Sequence, residues 1–139
     1  MTQQRIAVDT SVAVALLVGA HTAHQAVAAW ARGRNLFLSG HAAIETFSVL
    51  TRLPSDARVA PSDARLLIDE DFEAVLPLSV RRAASVHRKL AEYGIAGRAV
   101  YDAVIALAAH EHGAALATRD SRARSTYEAF DVEIVLLPG

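Results

Sequence analysis

The chain has 139 residues, 53% of them apolar and 21% charged, with a formal net charge of −1. That length and apolar share predict a single globular domain over residues 1–139 and exclude a disordered chain. It contains no cysteine, which excludes disulfide scaffolds, thiolate zinc sites and cysteine nucleophiles and suits a reducing, cytoplasmic compartment.

The first short apolar run, residues 5–8, ends at Asp9-Thr10-Ser11, three residue types that cap helices, and the apolar run 12–18 follows at once. This order predicts a strand, a cap and a helix. Even extended through Gly19 and Ala20, the apolar stretch is far shorter than the roughly 18–20 residues of a membrane span. Asp9 also interrupts the approach a signal peptide needs, so neither membrane association nor secretion is expected. A second helix over 21–32, Ala-rich around Val27 and Trp30, is broken by Gly33, and residues 35–38 supply the next strand. Ser39 and Gly40 are read as the start of a helix over 41–53, with Ile44, Phe47 and Leu50 at helical spacing and Pro54 as its stop.

Residues 54–61 are loop-like, and Pro61-Ser62-Asp63 opens a helix over 64–72. A brief strand at 75–78 precedes a helix over 80–92 that Gly94 and Gly97 close off. The most apolar helix, 100–112, leads to a strand at 114–118, a polar turn, a short helix at 123–130 and a last strand at 132–136. Strands alternating with helices predict a parallel sheet covered by helices, an α/β architecture, with no internal repeat.

In such a sheet the reactive crevice lies beyond the carboxyl ends of the strands. Asp9 and Asp120 each follow a strand, which puts them at one edge; each also suits a helix cap, a role that contributes about 1 kcal/mol. Asp102 is followed at three, four and seven residues by Ile105, Ala106 and Ala109, an apolar face. Either the helix dipole and Arg98 stabilise it in the first turn, or it faces a cation that offsets the cost of a charge there. Glu45 shares its face with His41, Ser48 and Arg52, and spacing alone leaves it on a solvated surface.

Four segments together carry a resemblance across almost the whole chain: Ile6-Ala7-Val8-Asp9-Thr10-Ser11, Ala43-Ile44-Glu45-Thr46, Tyr101-Asp102-Ala103-Val104-Ile105-Ala106 and Leu116-Ala117-Thr118-Arg119-Asp120. In this order the chain resembles the PIN-domain ribonucleases of the VapC toxin type. The resemblance implies a three-layer α/β/α fold with a central parallel sheet of four to five strands. It further implies that Asp9, Glu45, Asp102 and Asp120 are catalytic and converge on one acidic pocket.

Four carboxylates in one pocket repel each other and collect cations, and all-oxygen ligands select Mg²⁺, with Mn²⁺ as substitute, over zinc. On this reading Asp9 and Asp102 hold the metal, Glu45 and Asp120 complete its shell or orient water, and Ser11 and Thr118 support the ligands. The histidines do not suggest a rival zinc site: His110 and His112 point to different faces of a helix, and His21 with His24 lacks a third ligand. The implied partners are an RNA substrate, a VapB-like antitoxin lying across the acidic cleft, and a second copy in a homodimer.

Positive charge is almost all arginine, with Lys89 the sole lysine. Arg119, Arg122 and Arg124 flank Asp120 and either hold RNA phosphates or pair with Glu128 or Asp131 on an exposed helix. Two other readings are weighed. A haloacid-dehalogenase-like phosphatase needs a second aspartate where Ser11 stands. An inactive α/β binding module, its aspartates only caps, predicts no response to metal.

Overall fold

The apolar runs form strands, and those in the middle of the sheet are mostly buried on both faces, the pattern of a parallel sheet between helices. The computed structural model describes residues 4–138; residues 1–3 and 139 of the expected 1–139 domain lie outside the described residues. Its strands are β1 (Ile6–Val8), β2 (Leu36–Ser39), β3 (Val75–Leu76), β4 (Ala115–Thr118) and β5 (Ile134–Leu136). The helices are α1 (Thr10–Leu17), α2 (His24–Ala31), α3 (Ala42–Thr51), α4 (Pro61–Asp71), α5 (Val80–Glu92), α6 (Ala99–Glu111) and α7 (Arg124–Ala129). A single 3₁₀ turn, Ser55–Ala57, occupies the expected loop.

The sheet runs β3-β2-β1-β4-β5 with every pair parallel. Right-handed crossovers then place α1 to α4 on one face, where they pack on each other, and α5 to α7 on the opposite face. The result is the three-layer α/β/α arrangement. Leaving β1 the chain moves toward β2, and leaving β4 it moves toward β5, so the crevice where strand order reverses opens between the carboxyl ends of β1 and β4. Val8 is in register with Ala117 there, and the Asp9 amide donates to the Ala117 carbonyl at 3.1 Å.

Helix α6 is rich in alanine because it lies against the middle of the sheet. Ala103, Ile105, Ala106, Leu107, Ala108 and Ala109 are all buried, and the small side chains let the helix approach β2 and β4 closely. Among the described residues no helix is long and apolar enough to cross a membrane.

Several boundaries differ from the sequence reading for local reasons. β3 stops at Leu76, since Pro77 has no N–H to continue the ladder. Helix α2 starts at His24, after a turn in which the Ala23 amide donates to His21 Nδ1 at 3.0 Å. Ser39 does not start α3: it ends β2, and its buried hydroxyl donates to the Ile105 carbonyl at 2.6 Å, leaving α3 without a side-chain cap. Gly40 adopts φ +50° between them.

Candidate active site

Asp9 leaves β1 and enters α1. Its Oδ1 accepts hydrogen bonds from the Ser11 hydroxyl at 2.6 Å and the Val12 amide at 3.2 Å. Its Oδ2 accepts from the Tyr127 hydroxyl at 2.9 Å. Capping and pocket membership are therefore compatible, because one carboxylate caps α1 and also lines the crevice. Ser11 Oγ in turn accepts from the Arg119 amide at 2.9 Å, which ties the end of β4 to Asp9.

Asp120 follows β4, its amide donating to the buried Thr118 Oγ1 at 3.0 Å. Its Oδ1 accepts from the Arg122 amide at 3.0 Å and lies 3.4 Å from the Arg122 Nε. Asp102 sits in the first turn of α6 and Glu45 in the first turn of α3. Glu45 Oε2 accepts from the Thr10 hydroxyl at 3.2 Å. Its Oε1 is buried without a hydrogen-bond partner: His41 Nε2 lies 3.6 Å away, too far for a hydrogen bond.

Asp9, Glu45, Asp102 and Asp120 line one cavity of about 120 Å³, together with Thr10, Ser11 and Tyr127. Burial first, then the charges of Asp120, Glu45 and Asp9, raise the Asp102 carboxyl to about 6, with Arg122 opposing the shift. A wider cavity of about 560 Å³ adjoins it and shares Glu45, Asp102 and Asp120. A third, of about 340 Å³, lies by Arg5, Arg34 and Phe37, toward the amino ends of β1 and β2 and away from all four carboxylates.

A family model described as PIN domain matches residues 6–129. The chain belongs to the PIN-domain family. It is 57% identical over 131 residues to Ribonuclease VapC27 of Mycobacterium tuberculosis strain H37Rv, a match covering 94% of this chain and 96% of that protein. It is 43% identical over 133 residues to Ribonuclease VapC40 of Mycobacterium tuberculosis strain CDC 1551, covering 95% of this chain and 98% of the relative. Among solved structures, that of FitAB bound to an IR36 DNA fragment superposes with a TM-score of 0.70 at 24% identity over 94% of each chain, a likeness of fold.

The pocket of this PIN domain fits a hard divalent cation. Its donors are all oxygens, Glu45 Oε1 is orphaned, and burial and mutual repulsion combine at Asp102. Among the described residues no three His, Asp or Glu side chains are drawn into a ready-made cation cage.

The three arginines after β4 in this PIN domain part company. Arg122, almost wholly exposed, lines the wider cavity. Arg119 is bound to its own chain, donating to the Pro138 carbonyl at 3.3 Å and to the Ser11 carbonyl at 3.4 Å. Arg124 pairs with Glu128 at 2.6 Å along α7. Tyr127 has no motif to flag it: three residues before Phe130 it has the spacing of a core residue, and its hydroxyl reaches across 118 positions to Asp9. Burial, then the charges of Asp9 and Asp102, raise its phenol well above the usual range, so it acts as a hydrogen-bond donor. His41, Tyr101 and Arg98 also line the wider cavity, and none of them belongs to the four acidic segments' carboxylate set.

Proposed function

We propose that this chain is a divalent-cation-dependent endoribonuclease acting as the toxin of a VapBC-type toxin–antitoxin pair in the cytoplasm. The observation that carries the reading is the convergence of Asp9, Glu45, Asp102 and Asp120 on one cavity at the strand-order switch point. The 57% identity with a protein named Ribonuclease VapC27 supports the substrate class.

Asp9 and Asp102 would hold Mg²⁺ or Mn²⁺, with Glu45 and Asp120 completing the shell or orienting the attacking water. When bound, the cation neutralises charge on the scissile phosphate and makes water a better nucleophile. The chain's own groups prepare that site. The Ser11 and Tyr127 hydroxyls and the Val12 amide fix both Asp9 oxygens, so the carboxylate loses little freedom on capturing a cation. Thr118 fixes the Asp120 backbone in the same way. Arg122 brings a positive charge to the mouth, where it offsets the repulsion between an acidic pocket and RNA. The partners in this reading are a VapB-like antitoxin covering the cleft and a second copy of the chain.

The test is cleavage of structured RNA by purified protein with Mg²⁺, Mn²⁺ or chelator, compared with Asp9→Ala, Glu45→Ala, Asp102→Ala and Asp120→Ala. Cation-dependent cleavage lost in all four supports the assignment. Metal-independent indifference of every variant returns the chain to a binding module, and full activity in Glu45→Ala alone removes that residue from the set.

A further inference from the structure

The cavity of about 560 Å³ beside the carboxylates is large enough for a nucleotide, since small-molecule sites run from roughly 300 to 1,000 Å³. Its wall carries the ring of Tyr101, stacked on the imidazole of His41 with centroids 4.8 Å apart and planes 14° from parallel. Tyr101 is nevertheless 49% exposed. His41 lies against one face of the ring, and Tyr101 lines the cavity. Two arginines line the same cavity, Arg98 and Arg122, the latter with its Nε 3.4 Å from Asp120 Oδ1, and Asp102 and Asp120 connect it to the carboxylate pocket.

A flat aromatic surface with cations beside it, on the rim of an acidic centre, suits one polymer chemistry. Unpaired bases stack on aromatic side chains while arginines hold the adjoining phosphates; bases inside a duplex present no free face. We infer that this cavity is a subsite for one unpaired nucleotide of an RNA strand, its base stacked on Tyr101 and its flanking phosphates on Arg98 and Arg122. This rests on the ribonuclease reading of the adjoining pocket and narrows it to cleavage beside an extruded base. His41 acts as a positioning residue, holding the Tyr101 ring by stacking.

The experiment has a binding arm and a kinetic arm. In an Asp9→Asn background that blocks cleavage, binding of a short mixed-sequence single-stranded RNA carrying 2-aminopurine is followed by fluorescence. Tyr101→Ala should weaken it about tenfold, while Tyr101→Phe and Tyr101→Trp keep it. Tyr101→Leu, which retains apolar bulk without a π face, serves as the second non-stacking variant should the alanine protein fold poorly. Arg98→Ala and Arg122→Ala should each lower the salt slope by about 0.7. Tyr93, equally exposed and stacked on Phe130 with centroids 4.9 Å apart but not part of this cavity, is the control: Tyr93→Ala should bind as the parent does. In the cleaving protein, Tyr101→Ala should raise KM more than it lowers kcat. Equal binding by Tyr101→Ala, Tyr101→Leu and the parent, or an equal loss on a fully paired duplex, overturns the subsite. A parent that cleaves with cation while Tyr101→Ala keeps its KM overturns this inference alone; a parent that cleaves no RNA under any cation overturns the ribonuclease reading beneath it.

Discussion

Two residues show how this pocket manages its charge. Asp102 has its carboxyl raised from 3.8 to about 6, so the folded chain holds a proton that the unfolded chain releases sooner. The stabilising protonated form is fully present below about pH 4 and lost as pH rises through about 6. Asp102→Asn should therefore melt higher than the parent at pH 7.5, by on the order of 1 kcal/mol once solvent screening of this half-exposed group is allowed for. The gap should close below pH 4, and thermal melts of chelator-treated protein across that range check it. Tyr127 acts in the opposite sense, giving a buried hydrogen bond to Asp9. Tyr127→Phe should cost about 1.5–3 kcal/mol in urea unfolding, as for a hydrogen bond to a charged group, and weaken Mn²⁺ binding by calorimetry. Unaltered Mn²⁺ affinity would remove Tyr127 from any role in holding Asp9.

At the scale of elements, the site depends on how the turn before α3 meets α6, because Glu45 rides on α3 and Asp102 on α6. Gly40 makes the close approach. A Cβ there would stand 2.9 Å from the Ala108 Cβ and 3.5 Å from the Val104 carbonyl, and the residue already has φ +50°. Its amide donates to the Leu76 carbonyl at 2.8 Å, which holds the turn against β3. Gly40→Ala should destabilise the fold by about 1–3 kcal/mol through crowding and backbone strain, and should reduce cleavage by shifting α3. Gly33→Ala is the comparison, with φ +74° but open space around its Cβ position, so it carries the strain without the clash. Similar losses of stability in the two variants, measured by urea titration, would show that packing against α6 is not what requires glycine at residue 40.

For the whole molecule, the acidic cavity lies where the two halves of the sheet diverge, so cation binding there should act on global stability. Mg²⁺ or Mn²⁺ binding only the folded chain contributes about 2.7 kcal/mol at a hundredfold excess over its Kd. A corresponding rise in Tm is expected for the parent and should be largely absent in Asp9→Asn and Asp102→Asn. Equal rises in all three, read by scanning calorimetry, would place the cation elsewhere.

The alternation of apolar runs with helical segments was legible because helix and strand periodicity, capping and chain breaking act over a few neighbouring residues; α5, for example, spans Val80–Glu92 as its pattern predicts. The same local signals placed Asp9 and Asp120 after strands that the fold aligns in parallel. Glu45 was not decided this way. Its face looked solvated until β1 and α1 brought Thr10, 35 positions distant, against its carboxylate. Nor could sequence separate Arg122 from Arg119 and Arg124, whose partners depend on where the chain end and α7 lie. Nothing local ties Tyr127 to Asp9 or Arg119 to Ser11, contacts that span 118 and 108 positions. The sequence by itself determined the elements, their order and the carboxylates at strand ends, because those follow from short-range geometry. Only the tertiary structure decided which side chains share the cavity, because that depends on crossovers that bring distant segments together.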